Sequence, residues 1–261
     1  MLSFDEHRPT SRVLDILELL ASSNEGHTLT EIAVAIDAPK STILPIIRTL
    51  CHRKFISLNK MTSRYSISIN AFVVGSSYLE DLNILNIIKE EMQYIVNQSL
   101  ETCQMGILVK GDVLYIAKID SLEPIRLVSF AGKKIPAYCT AVGKALLSRH
   151  SRQQLHELYP QGLQAFTPQT ITDFSCLYEE ICLIRESNVA TESEEITNNV
   201  QCLAVPLCKD GQVIAAISVS IPKFRATPEK MSLIRNLLLA SQRKIEQIFS
   251  TVNVDLLTFP S

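Results

Sequence analysis

Six basic side chains, Lys40, Arg48, Arg53, Lys54, Lys60 and Arg64, fall within a stretch from Ala38 to Leu79 that contains no Asp or Glu. The whole chain is nearly balanced, with 25 Lys+Arg against 27 Asp+Glu and a net charge of -2, so this is a local footprint and not a bulk property. Duplex DNA is the partner such a footprint fits, and a merely solvated face, which more often mixes signs, is the plainer alternative. A second group suggests small-molecule binding. Ser218 and Ser220 stand two apart in a strand-like run, which turns both hydroxyls to one face. Thr140, Ala141, Val142 and Gly143 open a helix with small residues, so their backbone N–H groups can meet a carboxylate. Close packing and local backbone bonding are what the same residues could do instead.

The signals for catalysis are poorer. The 7 cysteines are odd in number and contain no C-x-x-C, and the 5 histidines do not gather at ligand spacing, so neither a metal site nor a disulfide framework is expected. A thiol enzyme with Cys139 or Cys202 as nucleophile is the strongest enzymatic alternative, yet no histidine lies near either in sequence. Glu194 and Glu195 are adjacent and on a strand would point to opposite faces, unlike a glycosidase pair. The expectation is a protein with no catalytic residues, metal or cofactor.

A chain of 261 residues has room for two domains. With 46% hydrophobic and 20% charged residues, 8 Gly and 11 Pro, it can build real cores, which excludes a mainly disordered or fibrous protein. The start, MLSFDEHRPTSRV, lacks the apolar core of a signal peptide, and no apolar run approaches the ~20 residues of a bilayer span, so a cytoplasmic protein without membrane contact is expected.

The elements that must position these residues follow from periodicity. Val13, Leu14, Ile16, Leu17 and Leu20 form the apolar face of a first helix. Thr28-Leu29-Thr30-Glu31 matches a capping box opening a second helix that runs to about Ile36. A third begins near Lys40, with Ile43, Ile46, Ile47 and Leu50 inward. Its N-terminus would enter the major groove, bringing Lys40, Ser41 and Thr42 to base edges or phosphate and Leu44 to a thymine methyl. Pro45 inside it predicts a bent or short helix, because an interior proline costs about 3 kcal/mol. Two alternating runs around Asn59 to Ser63 then read as a hairpin with Ile56, Leu58, Tyr65, Ile67 and Ile69 inward, completing a winged helix-turn-helix. Lys60 and Arg64 flank its tip, and Arg53 and Lys54 are placed for phosphates.

From Asn70 the chain reads as a linker helix to Leu79, interrupted by Gly75-Ser76-Ser77, a break near Asp81, and a new helix from Leu85 to Leu100. Beyond Thr102 the period becomes two. One hairpin turns at Lys110-Gly111-Asp112, Ile125 to Phe130 is a third strand, and another hairpin turns at Lys209-Asp210-Gly211. Helices are expected at Ala141 to Leu147, Gln153 to Tyr159, Leu177 to Asn188 and Pro228 to Phe249. The fold class is α+β, an antiparallel sheet flanked by helices after the winged domain. The expected boundaries are 1–70 for the winged domain, 71–83 for the linker, 84–250 for the sheet domain and 251–261 for a loose tail.

Taken in order, RVLDILELL, LTEIAVAIDAPKSTILPIIRTL and FISLNKMTSRYSI, then P-x-x-x-T-A-V-G-K-A-L-L at Pro136 to Leu147 and E-E-x-x-x-x-x-x-C-x-A-x-P at Glu194 to Pro206, resemble the isocitrate-lyase-regulator (IclR) family of bacterial transcription factors over roughly residues 10 to 250. The resemblance implies a GAF-like C-terminal domain that binds a small organic acid such as a sugar acid or keto acid, and a homodimer or dimer of dimers that binds an operator and represses catabolic genes. It places the effector among Leu127 on the third strand, Ala141, Val142, Glu192, Cys202, Ser218 and Ser220. Without it, Cys202 reads as core. Glu192 stands where many members have Asp and Asn199 where Gly is usual, which predicts a differently shaped loop. Glu186, Glu192, Glu194 and Glu195 predict an acidic rim. Apolar Phe72, Val73 and Leu79 point to a partner helix across a dimer axis, with ligand binding altering half-site spacing. A ligand-binding scaffold with a decayed DNA domain, suggested by Pro45, is the remaining alternative.

Overall fold

The computed structural model describes residues 7–23, 25–80, 83–127 and 130–249, and separates into two compact units, 1–82 and 83–261. The expected tail at 251–261, the break near Asp81 and the middle of the expected strand at 125–130 lie outside the described residues.

In the first unit, α1 (Arg8–Ala21), α2 (Leu29–Ala35) and α3 (Lys40–His52) bury Ile16, Leu20, Ile32, Ile43 and Ile47 against one another. The capping box forms as its residue types predict: Glu31 N–H donates to Thr28 Oγ1 at 3.3 Å, and Thr28 N–H donates to Glu31 Oε2 at 2.9 Å. Leu14 falls off the inward face of α1 and is exposed. Helix α3 is not short, continuing for 13 residues with Pro45 inside it. Only the Ser41 carbonyl loses its helical donor to the proline, and Ser41 lies in the exposed first turn. Next come β2 (Ile56–Asn59) and β3 (Arg64–Ile67), in register Ile56 to Ile67 and Leu58 to Tyr65. A two-residue β1 (His27–Thr28) adds to the outer side of β3, making a three-stranded sheet in place of the simple hairpin. Ile56 is buried, but Leu58 and Ile69 face solvent, because the small core ends at Ile56. Helix α4 (Ile69–Glu80) passes through Gly75-Ser76-Ser77 without interruption. A single glycine costs a helix about 1 kcal/mol, too little to break one rich in apolar residues. Phe72, Val73 and Val74 on it are exposed, and the side chain of Leu79 lies outside the described set.

The second unit begins with α5 (Asn83–Ser99). Its sheet is built from β4 (Thr102–Val109), β5 (Asp112–Ile119), β6 (Lys134–Pro136), β7 (Ala190–Ser193), β8 (Val200–Lys209) and β9 (Gln212–Pro222), in the order β6-β5-β4-β9-β8-β7 and antiparallel throughout. Both long hairpins close through two-residue turns in which Lys110 and Gly111, or Asp210 and Gly211, have positive φ, the geometry that matches strand twist. The expected third strand is displaced: Ile125 to Leu127 is irregular, and the strand beside β5 is Lys134–Pro136. Helix α9 (Pro228–Phe249) packs with α5 and against β8, while α6 (Ala141–Leu146), α7 (Arg152–Leu158) and α8 (Phe174–Ser187) form a cluster with the small side chains Ala190, Ala204 and Ala216 of the sheet. Among the described residues no helix is long and apolar enough to cross a membrane.

Candidate DNA interface and effector cavity

At the surface of the first unit, Lys40, Ser41 and Thr42 are exposed on the first turn of α3, and Arg48 is exposed further along it. Leu44, Arg48 and Lys54 line one groove between α3 and the wing, together with Ser57, Leu58 and Tyr65. Lys60 is exposed at the wing tip, where Asn59 Oδ1 accepts from the N–H groups of Met61 and Thr62 and fixes the turn. Arg53 is exposed, and its carbonyl accepts from Asn70 Nδ2 at 2.7 Å. Arg64 departs from the expectation of an uncompensated charge. It forms a forked pair with Glu31 and donates to the Gly26 carbonyl at 2.7 Å, in a second groove lined by α1 and α2. A count of charges along the sequence missed this because the partner lies outside the acid-free stretch.

In the second unit the antiparallel register makes the candidate site. Residues opposite one another across neighbouring strands share a face. Glu192 on β7 faces Cys202 on β8, which faces Ser220 on β9, and Ser218 faces Gln104 on β4. The start of α6 lies over this row. Thr140 caps the helix, its Oγ1 accepting from Gly143 N–H at 3.0 Å, so that amide is spoken for and only Ala141 and Val142 keep first-turn N–H groups with no carbonyl in the helix to bond. Gly143 permits the close approach, since a Cβ there would collide with the backbone of Ala137.

All seven expected effector residues, Leu127, Ala141, Val142, Glu192, Cys202, Ser218 and Ser220, line one cavity. Its volume is about 40 Å³, room for little more than a water or two. The cavity also takes in Thr140, expected at the helix start, and Gln104, Tyr115, Lys133 and Thr197, which the sequence reading missed. The strand positions of Gln104 and Tyr115 could have been found by strand parity once the register was known; Lys133 carries no such signal. The Ser220 hydroxyl donates to Gln104 Oε1 at 3.1 Å, and the Cys202 thiol donates to Ser220 at 3.4 Å.

The expected acidic rim is not one. Glu194 pairs with Lys223 and accepts from Asn199 N–H, which holds its carboxyl below the ordinary range. Glu186 is exposed on α8 and does not line the cavity. Lys144, fully buried on α6, sits 2.6 Å from both Glu180 and Glu195. Burial, with the like charges of Glu180 and Glu192, nonetheless pushes Glu195 up to about 7. Glu192 is only 2% exposed; its Oε1 accepts from Glu195 N–H at 2.6 Å, its Oε2 has no hydrogen-bond partner, and burial raises its pKa. Asn199 has a φ of 61, the left-handed conformation glycine would favour, and asparagine tolerates it better than most residues.

Residues 9–59 match the model of the IclR helix-turn-helix domain, and residues 76–247 match that of the bacterial transcriptional regulator IclR C-terminal domain. The chain belongs to the IclR family. It is 30% identical over 240 residues to the HTH-type transcriptional regulator BhcR of Paracoccus denitrificans, covering 91% of this chain and 86% of that one. An IclR regulator from Alicyclobacillus acidocaldarius superposes with a TM-score of 0.84 at 22% identity, covering 93% of this chain and 99% of that one. An IclR homologue of Microbacterium hydrocarbonoxydans, solved with 4-hydroxybenzoate, gives 0.77 at 18% identity over 92% and 99% of the two chains. As an IclR-family protein the chain is a DNA-binding regulator that responds to a small-molecule effector, and the family is regulatory, not enzymatic. Its thiols agree: burial pushes Cys139 up to about 12 and raises Cys202 well above the ordinary value, the opposite of an activated nucleophile.

Proposed function

We propose that this IclR-family chain is a cytoplasmic repressor of catabolic genes whose affinity for its operator is set by a small organic acid, a sugar acid or keto acid, held in the cavity of the second unit. The observation that carries the reading is the row of buried Glu192, Ser220 and Ser218 with half-buried Cys202, which turns polar groups into a cavity beneath the start of α6. Polar side chains buried around a space are costly unless something meets them. In this reading residues 1–70 bind duplex DNA, 71–83 link, 84–250 sense, and 251–261 are a tail. Exposed Lys40, Ser41, Thr42 and Arg48 with the wing supply the DNA contacts. Exposed Phe72 on α4 supports pairing of linker helices in a homodimer or dimer of dimers, which would read two half-sites. The continuity of α3 across Pro45 weighs against a decayed DNA domain.

The test is binding of the full-length protein to the DNA upstream of its own gene, at low salt, with and without each acid that raises its thermal stability. A ligand that both stabilises the protein and weakens operator binding supports the proposal. Indifference to that DNA at low salt would end the regulator reading, and stronger binding with ligand would overturn release of the operator by that acid.

A further inference from the structure

We propose that the cavity selects a hydroxy acid, with Lys133 at its mouth taking the carboxylate and the buried Oε2 of Glu192 taking the hydroxyl proton. This rests on reading the cavity as the effector site and narrows the class of effector.

The inner end is set by Glu192. One carboxyl oxygen is used by the Glu195 N–H, and the other is buried without a hydrogen-bond partner. A buried acceptor left unpaired costs free energy that a donor recovers on binding. With Glu192 ionised, the group that meets Oε2 must bring an O–H or N–H. A keto oxygen only accepts, so it leaves Glu192 as it found it. Ser220 offers no substitute donor, because its hydroxyl proton is directed to Gln104 Oε1.

The choice between a hydroxyl and an amine falls to Lys133. It lines both the inner cavity and an outer groove of about 440 Å³, as do Leu127, Thr197, Val200 and Ser220, whereas Glu192 lines only the inner cavity. Lys133 is thus at the passage between the two. Among the described residues no carboxylate is paired with it, while Arg126 in the same groove is held by Asp120 at 3.5 Å. An ammonium at the passage repels a cationic ligand and attracts a carboxylate. The inner space of about 40 Å³ admits a hydroxyl-bearing carbon and little else, so the rest of the ligand must occupy the outer groove or widen the cavity. An acid group toward the groove and a hydroxyl toward Glu192 satisfy both ends at once.

The experiment measures binding of the full-length protein to four sets of probes by calorimetric titration: glycerate, threonate and gluconate; the keto acids pyruvate, 2-ketobutyrate and 2-ketoglutarate; the unsubstituted acids propionate, butyrate and hexanoate; and the polyols glycerol, erythritol and sorbitol. A hydroxy acid is expected to bind at least ~10-fold more tightly than the best member of every other set. Lys133→Met is expected to weaken that hydroxy acid by ~10-fold or more while leaving polyols unchanged. Glu192→Gln keeps an acceptor for the Glu195 N–H but puts an amide donor where Oε2 was, so the preference for hydroxyl over keto should fall by ~10-fold or reverse. The proposal is overturned if another set binds best, if no hydroxy acid binds at ~10 mM, or if both variants keep the wild-type preference. Operator binding measured in parallel separates the two readings: a keto acid that binds best and shifts operator affinity removes the hydroxy-acid assignment and leaves the regulator, whereas a hydroxy acid that binds without moving operator affinity does the reverse.

Discussion

Arg64 on the wing grips Glu31 on α2 through two bonds, Nη1 to Oε2 at 3.0 Å and Nη2 to Oε1 at 3.1 Å. The same carboxylate caps the Thr28 N–H, so a residue that looked like a free DNA contact also ties β3 to the start of α2. Lys60, by contrast, is exposed at the wing tip. Lys60→Ala should weaken operator and random DNA alike and lower the salt slope of binding by ~0.9, the loss of one phosphate contact. Arg64→Ala should lower that slope by less, because Arg64 is already neutralised. Titration of both variants over a range of salt checks this; loss of operator binding alone in Lys60→Ala contradicts a phosphate role.

Gly143 and Gly75 should respond in opposite ways to alanine. At Gly143 the added Cβ meets the Ala137 backbone, which cannot rotate aside, so α6 and the turn at Ala137–Cys139 must move apart. A loss of ~1–3 kcal/mol is expected, as for overpacking elsewhere. At Gly75 nothing lies within 4 Å, and alanine should leave stability unchanged or raise it by up to ~1 kcal/mol through helix propensity. Urea midpoints of the two variants test the pair.

Glu195 gives the second unit a pH dependence with a definite sign. Its folded-state pKa of about 7 lies above the ordinary 4.5, so its contribution to stability is complete below about 4.5 and is lost as pH rises through about 7. The groups around it come from three elements: Lys144 on α6, Glu180 on α8 and Glu192 on β7. Glu195→Gln still accepts a bond from Lys144 but cannot titrate. Relative to that variant, the wild type should lose stability between about pH 5 and about pH 8. Identical pH profiles for the two proteins, measured by urea unfolding, would remove the assignment.

Three of the thiols should react slowly in the native protein. Cys103, Cys139 and Cys202 have raised pKa values with burial as the first cause, and Cys103 and Cys139 are fully buried. Cys176 is exposed at the start of α8. Brief maleimide labelling followed by mass spectrometry should modify Cys176 well before these three, and Cys103 and Cys139 should label only on unfolding. Rapid labelling of Cys202 would reopen the thiol-enzyme reading.

Much of this was legible from residue order. Periodicity gave α1 to α3 and the two long hairpins, since a helix or a tight turn is decided by neighbours a few places away: Thr28 with Glu31, Lys110 with Gly111, Asp210 with Gly211. Short elements were harder. The strands β1, β6 and β7 have two to four residues and exist because a longer strand lies beside them, so no local pattern announces them. Of the strand expected at 125–130, the described residues Ile125 to Leu127 are irregular, and Lys134–Pro136 holds the place beside β5.

What the sequence determined by itself is the set of local elements, the acid-free basic stretch and the motifs that mark the family, because each depends on residues close together in the chain. Tertiary structure alone decided which charges are free and which polar groups share a space. Arg64 meets Glu31, Lys144 meets Glu180 and Glu195, and Lys133 joins Glu192 in one cavity lining, all across gaps of thirty residues or more. Such meetings are set by strand register and helix packing, and a one-residue slip of β8 against β9 would turn Cys202 away from Ser220.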